Sequence, residues 1–161
     1  MAMTSYLKVT AKDQGEIKGD CTQSGREDLI LVYSIDHAVE IPRDTHTGLP
    51  TGARIHKPFQ IIKHKDLSTP KLFQACCNGE QVETELKFYR ITEAGKEEHY
   101  FTIKLEGAII VEMQEYNPLT FLEENKPYKD METASFTYSK IIWTYEPDGI
   151  ETEDSWKTPN E

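Results

Sequence analysis

Cysteine is scarce. The chain has three among 161 residues, and two of them, Cys76 and Cys77, are neighbours. An odd count cannot pair fully, adjacent cysteines bridge only with strain, and no Cys-x-x-Cys spacing occurs, so no disulfide framework is expected. The thiols read instead as small apolar core fillers in a reducing compartment. Cations are also in deficit, 18 against 28 acidic residues for a formal net charge of −10. A chain of that sign is repelled by phosphate backbones, which argues against nucleic acid as a partner. No apolar run approaches the ~20 residues of a membrane span. The longest, Leu29-Ile30-Leu31-Val32-Tyr33, is a strand's worth, so membrane insertion is not expected. Residues Met1 to Lys8 contain no hydrophobic stretch of the signal-peptide kind.

Reactive patterns are missing too. There is no Gly-x-Gly-x-x-Gly, P-loop, His-Glu-x-x-His or Gly-x-Ser-x-Gly. The five histidines, His37, His46, His56, His64 and His99, are dispersed without metal-ligand spacing. His56 and His64 each have lysine neighbours whose charge opposes a bound cation. Asp36 and His37 are adjacent, and adjacent strand residues point to opposite faces, so they form no acid–base pair on one side. Glu83/Glu85 and Glu123/Glu124 read as solvated. No catalytic residue, cofactor or metal is expected.

What is present is period-2 patterning over a length that suits one domain. In Gln81–Arg90, Val82, Thr84, Leu86 and Phe88 alternate with polar neighbours. After a turn at Thr92–Gly95 the alternation resumes with His99, Phe101, Ile103 and Leu105, which predicts a hairpin with one apolar face. Gly107 interrupts the pattern before Ile109, Val111 and Met113, as a bulge or corner would. Leu29, Leu31, Tyr33, Ile35, His37, Val39 and Ile41 would share one face of another long segment. A late strand over about Glu132–Tyr145 changes apolar phase near Ser139-Lys140, which predicts a bend or a passage between sheets. Tyr6–Lys12 and Ala53–Lys63 are shorter candidates. The sum is a mainly β chain of six to nine strands, an antiparallel barrel or sandwich.

One short helix interrupts it. Asp66-Leu-Ser-Thr-Pro70 offers hydroxyl caps followed by a proline suited to the first helical turn. Leu72, Phe73, Ala75 and Cys76 make an apolar face, and Asn78-Gly79 supplies a left-handed stop. Pro42–Gly52 holds two prolines and two glycines without periodicity and reads as a long, purposeful loop. Residues 146–161 read as an acidic C-terminal tail with six acids and one lysine, whereas 54–71 carries five cations against one acid. A basic patch on an acidic protein invites an acidic partner, and a second copy of the chain qualifies. Trp156, alone in that tail, is suited to anchoring it on its own barrel or on a neighbour.

An ordered series of segments carries a resemblance. Ile55-His-Lys-Pro-Phe59, Lys63, Asp66 and Ser68-Thr-Pro-x-Leu72 precede Leu86-Lys-Phe-Tyr-Arg90 and Tyr100-Phe-Thr-Ile-x-Leu105. Phe136-Thr-Tyr-Ser-Lys-Ile-Ile-Trp-Thr-Tyr145, Asp148-Gly-Ile150 and Asp154-Ser-Trp156 close the series. Over about Tyr6–Trp156 the chain resembles the haemolysin-coregulated protein (Hcp) family of bacterial type VI secretion systems. That resemblance implies an antiparallel β-barrel formed by two sheets with one short flanking α-helix, here residues 1–145 as a single domain. It also implies a non-enzymatic tube subunit that forms homohexameric rings, stacks them, and carries small effector proteins in the lumen. The implied partners are further copies and the sheath and spike proteins of the machine. The implied location is the bacterial cytoplasm before firing, then secretion by the type VI route. The long loop, the basic stretch and Trp156 make Arg43, Asp44, His46, Leu49, Arg54, Lys57 and Trp156 the candidate self-assembly residues. A monomeric barrel binding a small ligand, or a hydrolase assembled from dispersed residues, would be the alternatives.

Overall fold

A computed structural model describes residues 2–156. The strands are β1 (Ser5–Ala11), β2 (Gly15–Ile17), β3 (Ile30–Val32), β4 (Ser34–Asp36), β5 (Val39–Glu40), β6 (Ile55–His56) and β7 (Phe59–His64). Helix α1 (Thr69–Asn78) follows, then β8 (Gln81–Ile91), β9 (Glu97–Tyr116), β10 (Met131–Thr137), β11 (Lys140–Tyr145) and β12 (Ile150–Ser155). All the pairings are antiparallel.

The expected hairpin of β8 and β9 is the longest pairing, with Gly107 (φ 61°) at one of the two points where the register shifts. β9 runs on for 20 residues, and its halves hold different neighbours: Phe101–Glu106 pairs β11, and Ile109–Tyr116 pairs β10. The phase change at Ser139-Lys140 is therefore the break between β10 and β11 as the chain moves along one edge of β9. A Cβ on Gly107 would lie 2.7 Å from Ser139 Oγ. Gly107→Ala thus combines a left-handed backbone with a clash at this break. It is expected to cost about 1–3 kcal/mol in urea unfolding at fixed protein concentration. A variant as stable as the parent would show that the break tolerates a side chain.

The Leu29–Ile41 segment departs from the single-strand expectation. It divides into β3, β4 and β5, and Ile30 and Val32 enter the main core rather than Leu29 and Leu31. The reason is a change of partner at one residue. β3 pairs β1, β4 pairs β7, and Tyr33 N–H donates to Ile62 O at 2.9 Å. That crossover joins β1 to β7, so the path β1–β8–β9–β10–β7–β4/β3 returns to its start. Leu29 instead packs with Tyr6 and Cys21 in a second cluster. The Ala53–Lys63 candidate divides as well, into β6 and β7, at Lys57-Pro58, where proline has no N–H to give a ladder. With twelve strands, the count exceeds six to nine because long segments change partner midway.

The interior is filled. Leu7, Phe59, Ile61, Leu86, Ile103, Leu105 and Phe136 meet there without room for a water molecule between them. Helix α1 packs on β9 through Leu72 and Ala75 and ends at Gly79 in the left-handed conformation. Its N-cap Ser68 makes no side-chain cap. Asp66 takes that place by accepting from Ser68 N–H at 2.9 Å. Cys21 is buried, but Cys77 is exposed on the helix, so the core-filler reading fails for it. The segment after Tyr145 makes a turn and then pairs with β11 as β12, register Ile141↔Asp154. Its acids occupy a sheet edge rather than a loose tail as far as Ser155.

Candidate self-assembly surface

The Pro42–Gly52 stretch is an ordered hairpin rather than an irregular loop. β5 and β6 form its root as a separate two-stranded sheet, Val39↔His56 and Glu40↔Ile55. Farther out, Arg43 and Pro50 bridge, and Thr51 N–H donates to Pro42 O at 2.8 Å. Asp44 shapes the tip: its Oδ1 accepts from His46 N–H at 2.7 Å and its carbonyl from Gly48 N–H at 2.8 Å. Gly48, at φ 73°, allows the turn.

This arm carries exposed aliphatic side chains, Ile41 (57 % exposed) and Leu49 (64 %) with Val39 and Ile55. An isolated two-stranded hairpin is marginal in water. One that also presents apolar side chains is the kind of surface a partner covers. Asp44 and Gly48 hold its tip, and its root is held from below.

That anchorage is a chain of polar side chains. His37, between β4 and β5, places Nε2 2.8 Å from the Tyr138 hydroxyl. His56, in β6, places Nδ1 2.7 Å from the same hydroxyl and Nε2 2.6 Å from Asp154 Oδ2. Arg54 closes the chain on Asp154, with Nη2 donating to Oδ1 at 2.8 Å and to Ser155 O at 2.9 Å. Trp156 lies over His56 with ring centroids 5.0 Å apart, and its backbone N–H donates to Ser139 O at 3.1 Å. Hydrogen bonds from Arg54, then from His56, hold the Asp154 carboxyl below its ordinary range. Burial, aided by the Asp154 charge, pushes the Tyr138 hydroxyl far above its own. Burial and then the neighbouring His56 lower His37.

The seven candidate residues thus fall in two places. Arg43, Asp44, His46 and Leu49 are on the outer arm, while Arg54 and Trp156 meet at its root against their own barrel. Lys57 is beside the root, 3.5 Å from Glu40 in an exposed pair of little energetic weight. The expected basic patch is reduced to Lys57, Lys65 and Lys71, which stay exposed. Lys63 is buried against Glu132 and Asp66, Arg54 is on Asp154, and Lys65 is 3.8 Å from Glu115. Its complementarity to the acidic C-terminal segment is met inside one chain, by Arg54 and Asp154.

His37, Tyr138 and Asp154 escaped sequence reasoning because their partners are 82 to 101 positions away. The one available signal was that His56, Tyr138, Asp154 and Trp156 all lie in the segments that carry the family resemblance. Among the described residues no group of three His, Cys, Asp or Glu side chains is placed to hold a metal ion.

A filled barrel with a projecting arm and one flanking helix is an architecture shared with proteins of the type VI secretion system. The family model described as type VI secretion system effector, Hcp, matches residues 6–145. The "Major exported protein" of Pseudomonas aeruginosa is 38% identical over 99% of this chain and 98% of its own length. A crystal structure of an Hcp protein superposes with a TM-score of 0.89 at 30% identity, covering 96% of this chain and 98% of the other. The Hcp1 protein of Escherichia coli EAEC 042 gives 0.85 at 34% identity, over 96% and 99%. The chain belongs to the Hcp family, and it is a type VI secretion system protein.

Proposed function

We propose that this chain is the structural subunit of an exported tube. Six copies close into a ring, rings stack, and the assembly carries small effector proteins in the central lumen, outside the filled barrels. Sheath and spike proteins of the secretion machine are its other partners, and the tube is built in the bacterial cytoplasm before it is fired out. Family membership supports this reading, as does the name of the exported Pseudomonas relative.

The observation that carries it is the arm: an ordered hairpin, isolated from the barrel sheet, with Ile41 and Leu49 in solvent. A head-to-tail contact of this kind closes into a ring when its rotation divides a full turn. The filled interior argues against a small ligand held inside the barrel. Electron micrographs of the purified protein should show annular particles, with sedimentation at the hexamer mass. A species of single-chain mass at every concentration would overturn the reading.

A further inference from the structure

The hydrogen bonds beneath the arm have a fixed direction. The Asp154 carboxylate can only accept, so the hydrogen between it and His56 is on Nε2. In neutral His56, Nδ1 is then a lone pair and takes the Tyr138 hydroxyl hydrogen. The Tyr138 oxygen is left to accept from His37 Nε2–H. Both legs of the arm, His37 before β5 and His56 in β6, are therefore tied to one oxygen.

One added proton fits this arrangement. If His56 gains it on Nδ1, beside the Asp154 carboxylate, the Tyr138 hydroxyl turns and donates to His37 Nε2 instead, the His37 ring hydrogen passing from Nε2 to Nδ1 through solvent. A second proton does not fit. With both rings charged, His56 Nδ1–H and His37 Nε2–H point at the same oxygen, and the hydroxyl hydrogen has neither ring left as acceptor. Tyr138 cannot ionise to compensate, because burial holds its proton. The other groups around the rings do not resolve the conflict. His56 faces Asp154, already shared with Arg54, and the Trp156 ring. His37 has Phe59 at 5.0 Å between ring centroids, and it shares a surface depression with Asp36, Lys57, Gln60, Glu112 and Ser135. Of these, Asp36 favours a proton there.

We propose that the His37–Tyr138–His56 bridge is a two-proton latch, which fixes the arm to the barrel at neutral pH and releases it in mild acid. If the arm joins copies as argued above, on which only this consequence rests, acid also dissolves the assembly. The sign follows from His37. Its folded pKa lies below its unfolded value, so the stability it contributes is present above about 6.5 and lost as pH falls through the folded value. Tyr138 keeps its proton across that window.

Hydrogen exchange of the arm peptides, residues 38–57, corrected for the intrinsic pH dependence, reads the latch directly. Sedimentation of the same samples reads assembly. Between pH 7.5 and 5, protection of the Lys57 amide, which donates to Ala38 O at 3.0 Å, should fall about tenfold, while β8 and β9 stay protected. His37→Gln keeps a donor for Tyr138 without a titrating ring, so it should hold the arm at pH 5. Unchanged protection in the parent, or the same loss in H37Q, overturns the latch. Arm release with intact assembly upholds the latch and overturns the arm's role in joining copies. Acid dissociation without arm release overturns the latch.

Discussion

Lys63→Met is expected to lower the unfolding free energy by about 3–5 kcal/mol, the range for breaking a buried ion pair from one side. Lys63 is 0 % exposed, and its ammonium donates to Glu132 Oε1, to Asp66 Oδ1 at 3.0 Å and to His64 O at 3.0 Å. Glu132 stands directly opposite it, β10 against β7, and Thr69 at the head of α1 also donates to Glu132 at 2.9 Å. Three elements thus meet on one ammonium. Without it, two carboxylates stay buried with no cation, and Glu132 Oε2 already has no partner. Lys63→Met combined with Glu132→Leu should recover most of the loss, because the carboxylate with an unpartnered oxygen goes too and Asp66 keeps the Ser68 N–H. Urea unfolding at fixed protein concentration measures both. A single variant as stable as the parent, or a double variant worse than the single, would contradict the account.

If copies join through the arm as proposed, deleting Thr45–Pro50, or replacing Ile41 and Leu49 together by Asp, should shift the protein from rings to single chains. Both side chains are exposed in the protomer, so the double substitution spares the barrel and acts on association. Burying each side chain stabilises by about 1.5–3 kcal/mol. Substituting both should therefore weaken every subunit contact at least tenfold, and sedimentation velocity over a range of concentrations would show it. Salt should matter less than apolar burial, because Arg54 and Lys63 of the basic stretch are already paired within the chain. Rings that match the parent in size and concentration dependence would remove the arm from the interface.

Elements with local causes were readable in advance. α1 is bounded by Pro70 and Gly79, whose backbone preferences act at their own positions. β8 and β9 follow an alternation interrupted by the turn between them and by Gly107, and the break at Ser139 showed as a shift of apolar phase. The arm was recognised by its length and its prolines, but its strand pairing was not. Arg43 and Pro50 face each other without any alternation to announce it. Leu29–Ile41 misled for a related reason. Ile30 and Leu31 are equally apolar, and the faces they take depend on β1 and β7 meeting there.

Composition and periodicity were enough to establish a β-rich chain with one short helix and an acidic charge, and the order of short segments was enough to point to the Hcp family. Those properties are sums over residues or patterns between near neighbours, so the chain carries them before it folds. Folding settled where charge resides. It buried Lys63 against Glu132, spent Arg54 on Asp154, and drew His37 and His56 to the Tyr138 hydroxyl beneath the arm. Each of these joins residues far apart in the chain, through pairings that close only when the whole sheet curls around its core.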